Sequence, residues 1–136
     1  MATNQKKNYS YAVGRRRESS ARVRVFRGSG DNMVNGMVIG KYFEGDVARH
    51  YWNKPFEILE VEGKYYATAK VVGGGKNGQL DAFVLGLSRA LSKIKPDKYR
   101  TPLKKAGLLS SDPRIRERRK VGTGGRARRK KQSPKR

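Results

Sequence analysis

The sequence predicts one small domain that mixes strands and helices, with a basic tail attached. Three observations carry this. Two segments alternate at the strand period, Ala21–Phe26 and Tyr65–Val72. A later segment repeats its apolar residues at the helical period, Leu80, Phe83, Val84, Leu87, Leu91 and Ile94. The charge is uneven along the chain. Of 136 residues, 33 are Lys or Arg and 11 are Asp or Glu, a net +22. Residues 1–30 hold +7, residues 31–100 only +3, and residues 101–136 hold +12. At 35% hydrophobic, the chain has enough apolar surface for one modest core.

In chain order, Tyr9–Val13 is a short β-prone run ending at Gly14. In Ala21–Phe26 the residues Ala21, Val23 and Val25 share one face, and Arg22, Arg24 and Phe26 the other. This is a half-buried strand with guanidinium groups on its wet side. Met33–Ile39 reads as a hairpin turning on Asn35-Gly36, a pair suited to a tight two-residue turn. Tyr42, Phe43, Val47 and Tyr51 recur at helical spacing, and Pro55 interrupts that region. Glu62-Gly63-Lys64 forms a turn into the strand Tyr65–Val72, which is followed by the glycine-rich Gly73–Gly78. A helix of about 15 residues then runs to Ile94, stopped by Pro96. Tyr99–Ala106 is a second short helix, closed by Gly107. Arg114–Val121 suits a sheet edge, with Ile115 and Val121 as its apolar anchors. From Gly122 to Arg136 the one apolar residue is Ala127, too little to offset ordering entropy. Three regions follow: a flexible 1–8, a globular 9–121 and an extended basic tail 122–136.

Composition excludes several classes. There is no cysteine, so disulfide staples, thiolate nucleophiles and cysteine zinc sites are ruled out. His50 is the single histidine, and no Ser or Cys pattern makes it a catalytic base. No metal site, catalytic residue or cofactor is expected. No apolar run approaches the roughly 20 residues of a membrane span. Met1–Asn8 has no apolar segment behind its lysines, so a protein of a reducing compartment is expected. A net +22 would repel itself without a polyanion; nucleic acid is the first candidate and an anionic membrane surface the second.

The motifs narrow this. Gly73-Gly74-Gly75-Lys76-Asn77-Gly78 is a literal G-x-G-x-x-G between a strand and a helix. The acidic ribose partner is missing from a second strand end, since Asp97 follows Lys95-Pro96 in a polar loop. A Walker loop fails because Gln79 follows Gly78. Two readings remain open for Gly74, Gly75 and Lys76, a phosphate contact at a helix N-terminus or a plain tight turn. Arg15, Arg16 and Arg17, with Arg22 and Arg24, form a guanidinium patch at the end and wet face of a sheet. The alternative is a solvated edge that blocks aggregation. Arg126 to Arg136 is a basic segment able to thread between RNA helices. A free RNA-binding module and a nucleotide-using enzyme are the rival functions.

Several stretches occur in a telling order. They are Gly14-Arg15-Arg16-Arg17-Glu18-Ser19-Ser20-Ala21-Arg22-Val23, Val34-Asn35-Gly36, Gly73-Gly74-Gly75 with Gly78-Gln79, and Ser88-Arg89-Ala90-Leu91. Leu103–Leu109, Asp112-Pro113-Arg114, Glu117-Arg118-Arg119-Lys120 and the terminal Lys135-Arg136 follow. Together they resemble the family of small-subunit ribosomal protein nine, in its bacterial form, from about Tyr9 to Arg136. The resemblance implies an α+β fold: a small mixed sheet packed by helices, like domain two of ribosomal protein S-five, with a left-handed βαβ crossover and an extended basic C-terminal tail. It places Arg114–Lys120 on an edge strand.

It also implies a structural, non-enzymatic protein of the cytoplasmic ribosome that supports translation. Its partners would be 16S-type rRNA in the head of the small subunit, peptidyl-site tRNA and other head proteins, with no membrane. Carried over by position, Lys135 and Arg136 contact the tRNA anticodon stem-loop, with Arg128 and Arg129 beside them. Small-subunit rRNA then falls to Arg15, Arg16, Arg17, Arg22, Arg24, Gly74, Gly75 and Lys76. In the C-terminal part it falls to Arg114, Arg116, Arg118, Arg119, Lys120, Arg126, Lys130 and Lys131. The bacterial family usually ends Gln, aromatic, Ser, Lys, Arg. Here Gln132 is followed by Ser133-Pro134, so that ring is missing and proline fixes φ on the approach.

Overall fold

A computed structural model of the chain describes residues 9–110. The strands are β1 (Tyr9–Arg16), β2 (Ser19–Arg27), β3 (Met33–Val34), β4 (Met37–Val38) and β5 (Tyr65–Val72). The helices are α1 (Ile39–Tyr42), α2 (Asp46–Leu59), α3 (Lys76–Ile94) and α4 (Pro96–Lys105). The strands form one mixed sheet in the order β1-β2-β5-β3-β4. β5 is antiparallel to β2 and parallel to β3, so the chain crosses over from β3 to β5 through α1 and α2. Arg114–Val121 and the tail lie outside the described residues.

The alternation in β2 decides which face is buried. Ala21, Val23 and Val25 turn inward, while Arg22 and Arg24 stay exposed. They meet Ala12 of β1, Ala67 and Val71 of β5, and the apolar side of α3 in one core. All four helices contribute to that core, through Ile39, Phe56, Leu87 and Leu103 among others. The helices therefore cover one face of the sheet. α3 is buried on two sides, between the sheet and the other helices. Ala82, Gly86 and Ala90 are enclosed as well as Phe83, Leu87 and Leu91.

Close approach of α3 to the sheet rests on two glycines. A Cβ on Gly14 would overlap the Ala82 carbonyl, and one on Gly86 would lie 3.0 Å from the Gly14 nitrogen. The backbones of β1 and α3 touch where no side chain fits between them. The same helix covers the sheet edge. Arg89 Nη1 donates to the Val13 carbonyl at 3.0 Å, and Lys93 Nζ to the Tyr11 carbonyl at 2.9 Å. Edge carbonyls of β1 that would otherwise invite a foreign strand are thus capped from within.

Several expectations need correcting. β1 runs on to Arg16 rather than stopping at Val13. The Lys41–Trp52 stretch is two helices split at Phe43–Gly45, and Val47 is 85% exposed, so it is no core residue. Pro55 does not break the helix but lies inside α2, with its ring and Phe56 buried. Their burial outweighs the lost hydrogen bond, a loss usually about 3 kcal/mol. α3 starts at Lys76, four residues before Leu80, so Gly78 is helical. α4 starts at Pro96, because a proline is well placed in a first helical turn. The Asn35-Gly36 hairpin holds, with φ of 50° and 80° as its turn requires.

Candidate nucleic-acid interface

The sheet face opposite the helices is built from the odd positions of β1 and the even positions of β2 and β5. Register arranges them in rows. Tyr9, Phe26 and Tyr66 form the first, and Tyr11, Arg24 and Thr68 the second. Val13, Arg22 and Lys70 form the third, then Arg15, Ser20 and Val72. No Asp or Glu occurs in these rows. Arg15, Arg22, Arg24 and Lys70 are all exposed. Arg22 and Lys70 stand directly opposite one another, a like-charge pair that works against pairing of β2 with β5. At the far end, Phe26 stacks on Tyr66 with ring centroids 5.2 Å apart and planes at 16°. Tyr9 tilts against Phe26 at 5.6 Å, and the Arg24 guanidinium lies 5.1 Å from the Tyr9 centroid.

The five N-terminal arginines are therefore not one patch. Arg15, Arg22 and Arg24 share the open face. Arg17 occupies the exposed β1–β2 tip at φ 55°. Arg16 points to the helical side, where its Nε lies 3.4 Å from Asp81 of α3. Asp81 also holds Tyr51. Partial burial, then the hydrogen bond to Asp81 and the charge of that carboxylate, push the Tyr51 phenol up from 10.0 to about 12. The positive charge of Arg16 pulls the other way. Lys70 was the missing member. Its place on the face follows from alternation, but its contact with Arg22 needs the register.

The glycine loop meets the hairpin tip. Ser19 Oγ and Gln79 Nε2 donate to the Gly73 carbonyl at 3.0 and 3.1 Å. Gly73 and Gly74 have φ of 77° and 63°, and a Cβ on either would strike Glu18 or Ser19. Tight contact with β2 thus accounts for these two glycines. Gly75 caps α3 with no side-chain hydrogen bond, and a Cβ added there would meet nothing within 4 Å. A cleft of ≈ 730 Å³ opens between this helix start and Arg16–Ser19. Lys76 turns away toward Tyr42, its ammonium 3.5 Å from the ring centroid and 3.1 Å from the Tyr42 carbonyl oxygen. Arg114 and every basic residue after it lie outside the described residues.

Known proteins resemble this chain closely. The family described as Ribosomal protein S9/S16 matches residues 14–136. Small ribosomal subunit protein uS9 of Paenarthrobacter aurescens is 48% identical over 111 residues, which are 82% of this chain and 66% of that protein. The proteins of the same name from Pseudarthrobacter chlorophenolicus and Renibacterium salmoninarum are 47% and 46% identical over 111 residues, with the same 82% and 66% shares. The chain thus belongs to the ribosomal protein S9/S16 family.

Proposed function

We propose that the chain is a structural constituent of the bacterial small ribosomal subunit, working in the cytoplasm, and that its open sheet face docks on 16S-type rRNA in the head. The observation that carries the docking is the Arg22–Lys70 pair, two exposed cations held side by side with no carboxylate in their rows. A phosphate between them turns a repulsion into two charge-assisted contacts. Arg15, Arg17 and Arg24 extend the same surface. Gly74, Gly75 and Lys76 sit at the start of α3, where free backbone N–H groups favour an anion. Arg16 supports the tip through Asp81 and makes its own phosphate contact at the rim of the cleft.

In the same reading the C-terminal residues continue the RNA contact. Arg114, Arg116, Arg118, Arg119 and Lys120 pair with rRNA near the domain, and Arg126, Lys130 and Lys131 along the tail. Lys135 and Arg136 reach the anticodon stem-loop of peptidyl-site tRNA, with Arg128 and Arg129 beside them. The support is family membership over residues 14–136 and the net +12 of the last 36 residues. Removal of Lys135 and Arg136 tests it. Subunits should assemble normally and hold peptidyl-site tRNA more weakly in a filter-binding titration. Undiminished tRNA affinity in the truncated particles contradicts the tail assignment.

A further inference from the structure

The near-neutral middle of the chain hides a second concentration of charge. From residue 31 to 88, seven acidic residues slightly outnumber six basic ones. From Arg89 to Lys105, seven basic residues stand against Asp97 alone. The fold gathers these cations where the end of α3 meets α4, beside the β1 edge. Arg89, Ser92, Lys93, Pro96 and Arg100 line a cleft there of ≈ 520 Å³, closed on the strand side by Ala12 and Val13. Lys95 and Lys98 flank it on the start of α4.

Helix dipoles account for only part of this. Lys93 in the last turn of α3, and Lys104 and Lys105 in that of α4, complement negative helix ends. Lys98 does the opposite, since it stands in the first turn of α4, while Lys95 lies between the negative end of α3 and the positive end of α4. Arg89 with Lys93, and Arg100 with Lys104, place like charges four residues apart, a destabilising spacing. Among the described residues no carboxylate forms an ion pair with any of them. Three cations have uncharged partners: the β1 carbonyls hold Arg89 and Lys93 at the cleft, and Lys95 lies 5.8 Å from the centroid of the Tyr99 ring. The result is a fixed group of cations that nothing in the described domain neutralises.

We infer that this corner is a second RNA-backbone surface, on the other side of the β1 edge from the open sheet face, that takes the phosphates of a separate RNA segment. The inference rests on the reading that the folded domain binds RNA. RNA fits better than an acidic protein because seven cations stand against a single carboxylate in this segment, and a nucleic-acid backbone brings a phosphate at every residue.

The test is a titration of a short labelled RNA hairpin with the full chain over a range of salt. Three proteins are compared with wild type: Lys93→Gln/Arg100→Gln at the corner, Arg22→Gln/Lys70→Gln on the face, and the combination. The corner variant should bind more weakly, with a salt slope shallower by about 1.5, as expected for two lost phosphate contacts. The combined variant should lose the sum of both effects, because the two sites share no residue. Lys93→Arg/Arg100→Lys should bind as wild type, since it keeps both charges. Thermal unfolding of each variant confirms the fold, and the single exposed Arg100→Gln carries the test if the corner pair unfolds. An unchanged slope at the corner, with a clear loss on the face, overturns the inference and leaves the docking proposal standing. Unchanged hairpin binding together with loss of a neighbouring protein from reconstituted subunits assigns the corner to protein and also overturns it. No change in any variant removes the RNA reading of the folded domain itself.

Discussion

Asn35 shows how much one side chain can hold. β3 is two residues long and gives β5 only a short parallel ladder. Asn35 extends it: the Val71 N–H donates to Asn35 Oδ1 at 2.8 Å, and Asn35 Nδ2 donates to the Val71 carbonyl at 2.9 Å. Asn32 does the same at the other end, accepting from the Ala67 N–H at 2.9 Å. An amide side chain here copies a peptide group. Asn35→Ala should destabilise the domain by about 2 kcal/mol, through the two lost bonds to Val71, a third to the Tyr42 hydroxyl and a strained positive φ. Asn35→Gly relieves the φ and should recover only part of the loss in urea denaturation. Full recovery would show that the side-chain bonds contribute nothing. The sequence made the Asn35-Gly36 turn legible, but not this clamp, because the clamp depends on which strand lies alongside.

Tyr51 makes a prediction in pH. Its phenol ionises near 10.0 when unperturbed and near 12 in the fold. The folded state therefore favours the protonated form. That stabilisation is complete below pH 10 and is lost as pH rises from about 10 to about 12. Tyr51→Phe should flatten the stability profile across that window, apart from the contribution of other tyrosines and lysines. A profile identical to wild type would mean that neither burial nor the Asp81 contact raises the phenol in the fold. Helical spacing groups Tyr51 with Tyr42, Phe43 and Val47, as residues of one apolar face. Instead it is 40% exposed and serves a polar contact with Asp81.

At the scale of elements, the sheet face has a property opposite to that of a stabilising surface. Arg22 and Lys70 repel each other across β2 and β5. Arg22→Gln/Lys70→Gln should leave the isolated domain as stable as wild type or a few tenths of a kcal/mol more stable at low salt. The gain should shrink as salt screens the pair. A clear loss of stability would show that the pair is structural. Strict alternation made β2 legible down to which side chains face the core, though the strand runs over Ser19–Arg27 rather than Ala21–Phe26, and made β5 legible as an alternating strand. α2 was not. Its proline carried the strongest breaking signal in the segment, and only the burial of Pro55 and Phe56 against the other helices explains why the helix continues. The glycine run was legible as a strand-to-helix connection. Its cause was not, since contact of Gly73 and Gly74 with Glu18 and Ser19 joins residues more than fifty positions apart.

At the scale of the whole molecule, charge and core have separated. The apolar residues of both strand and helix patterns collect on one side of the sheet. The other side, the β1–β2 tip and the α3–α4 corner are cationic, and the C-terminal residues add a further net +12. Charge counting along the chain found the two ends but averaged away the corner, because acidic residues between 31 and 88 offset it in the total. Strand order was beyond periodicity altogether: nothing local says that β5 inserts between β2 and β3. Yet that insertion puts Lys70 next to Arg22 and makes the face what it is.

RNA–peptide crosslinking in intact small subunits tests the docking of that face most directly. Ultraviolet irradiation followed by mass spectrometry of the digested protein reports which peptides carry nucleotide adducts. Adducts are expected on the peptides of β2 and β5, around Arg22, Arg24, Phe26, Tyr66 and Lys70. α2, where Asp46 and Glu57 are interspersed with Arg49, His50 and Lys54, should carry none. Adducts confined to α2, with β2 and β5 unmodified, would contradict the account.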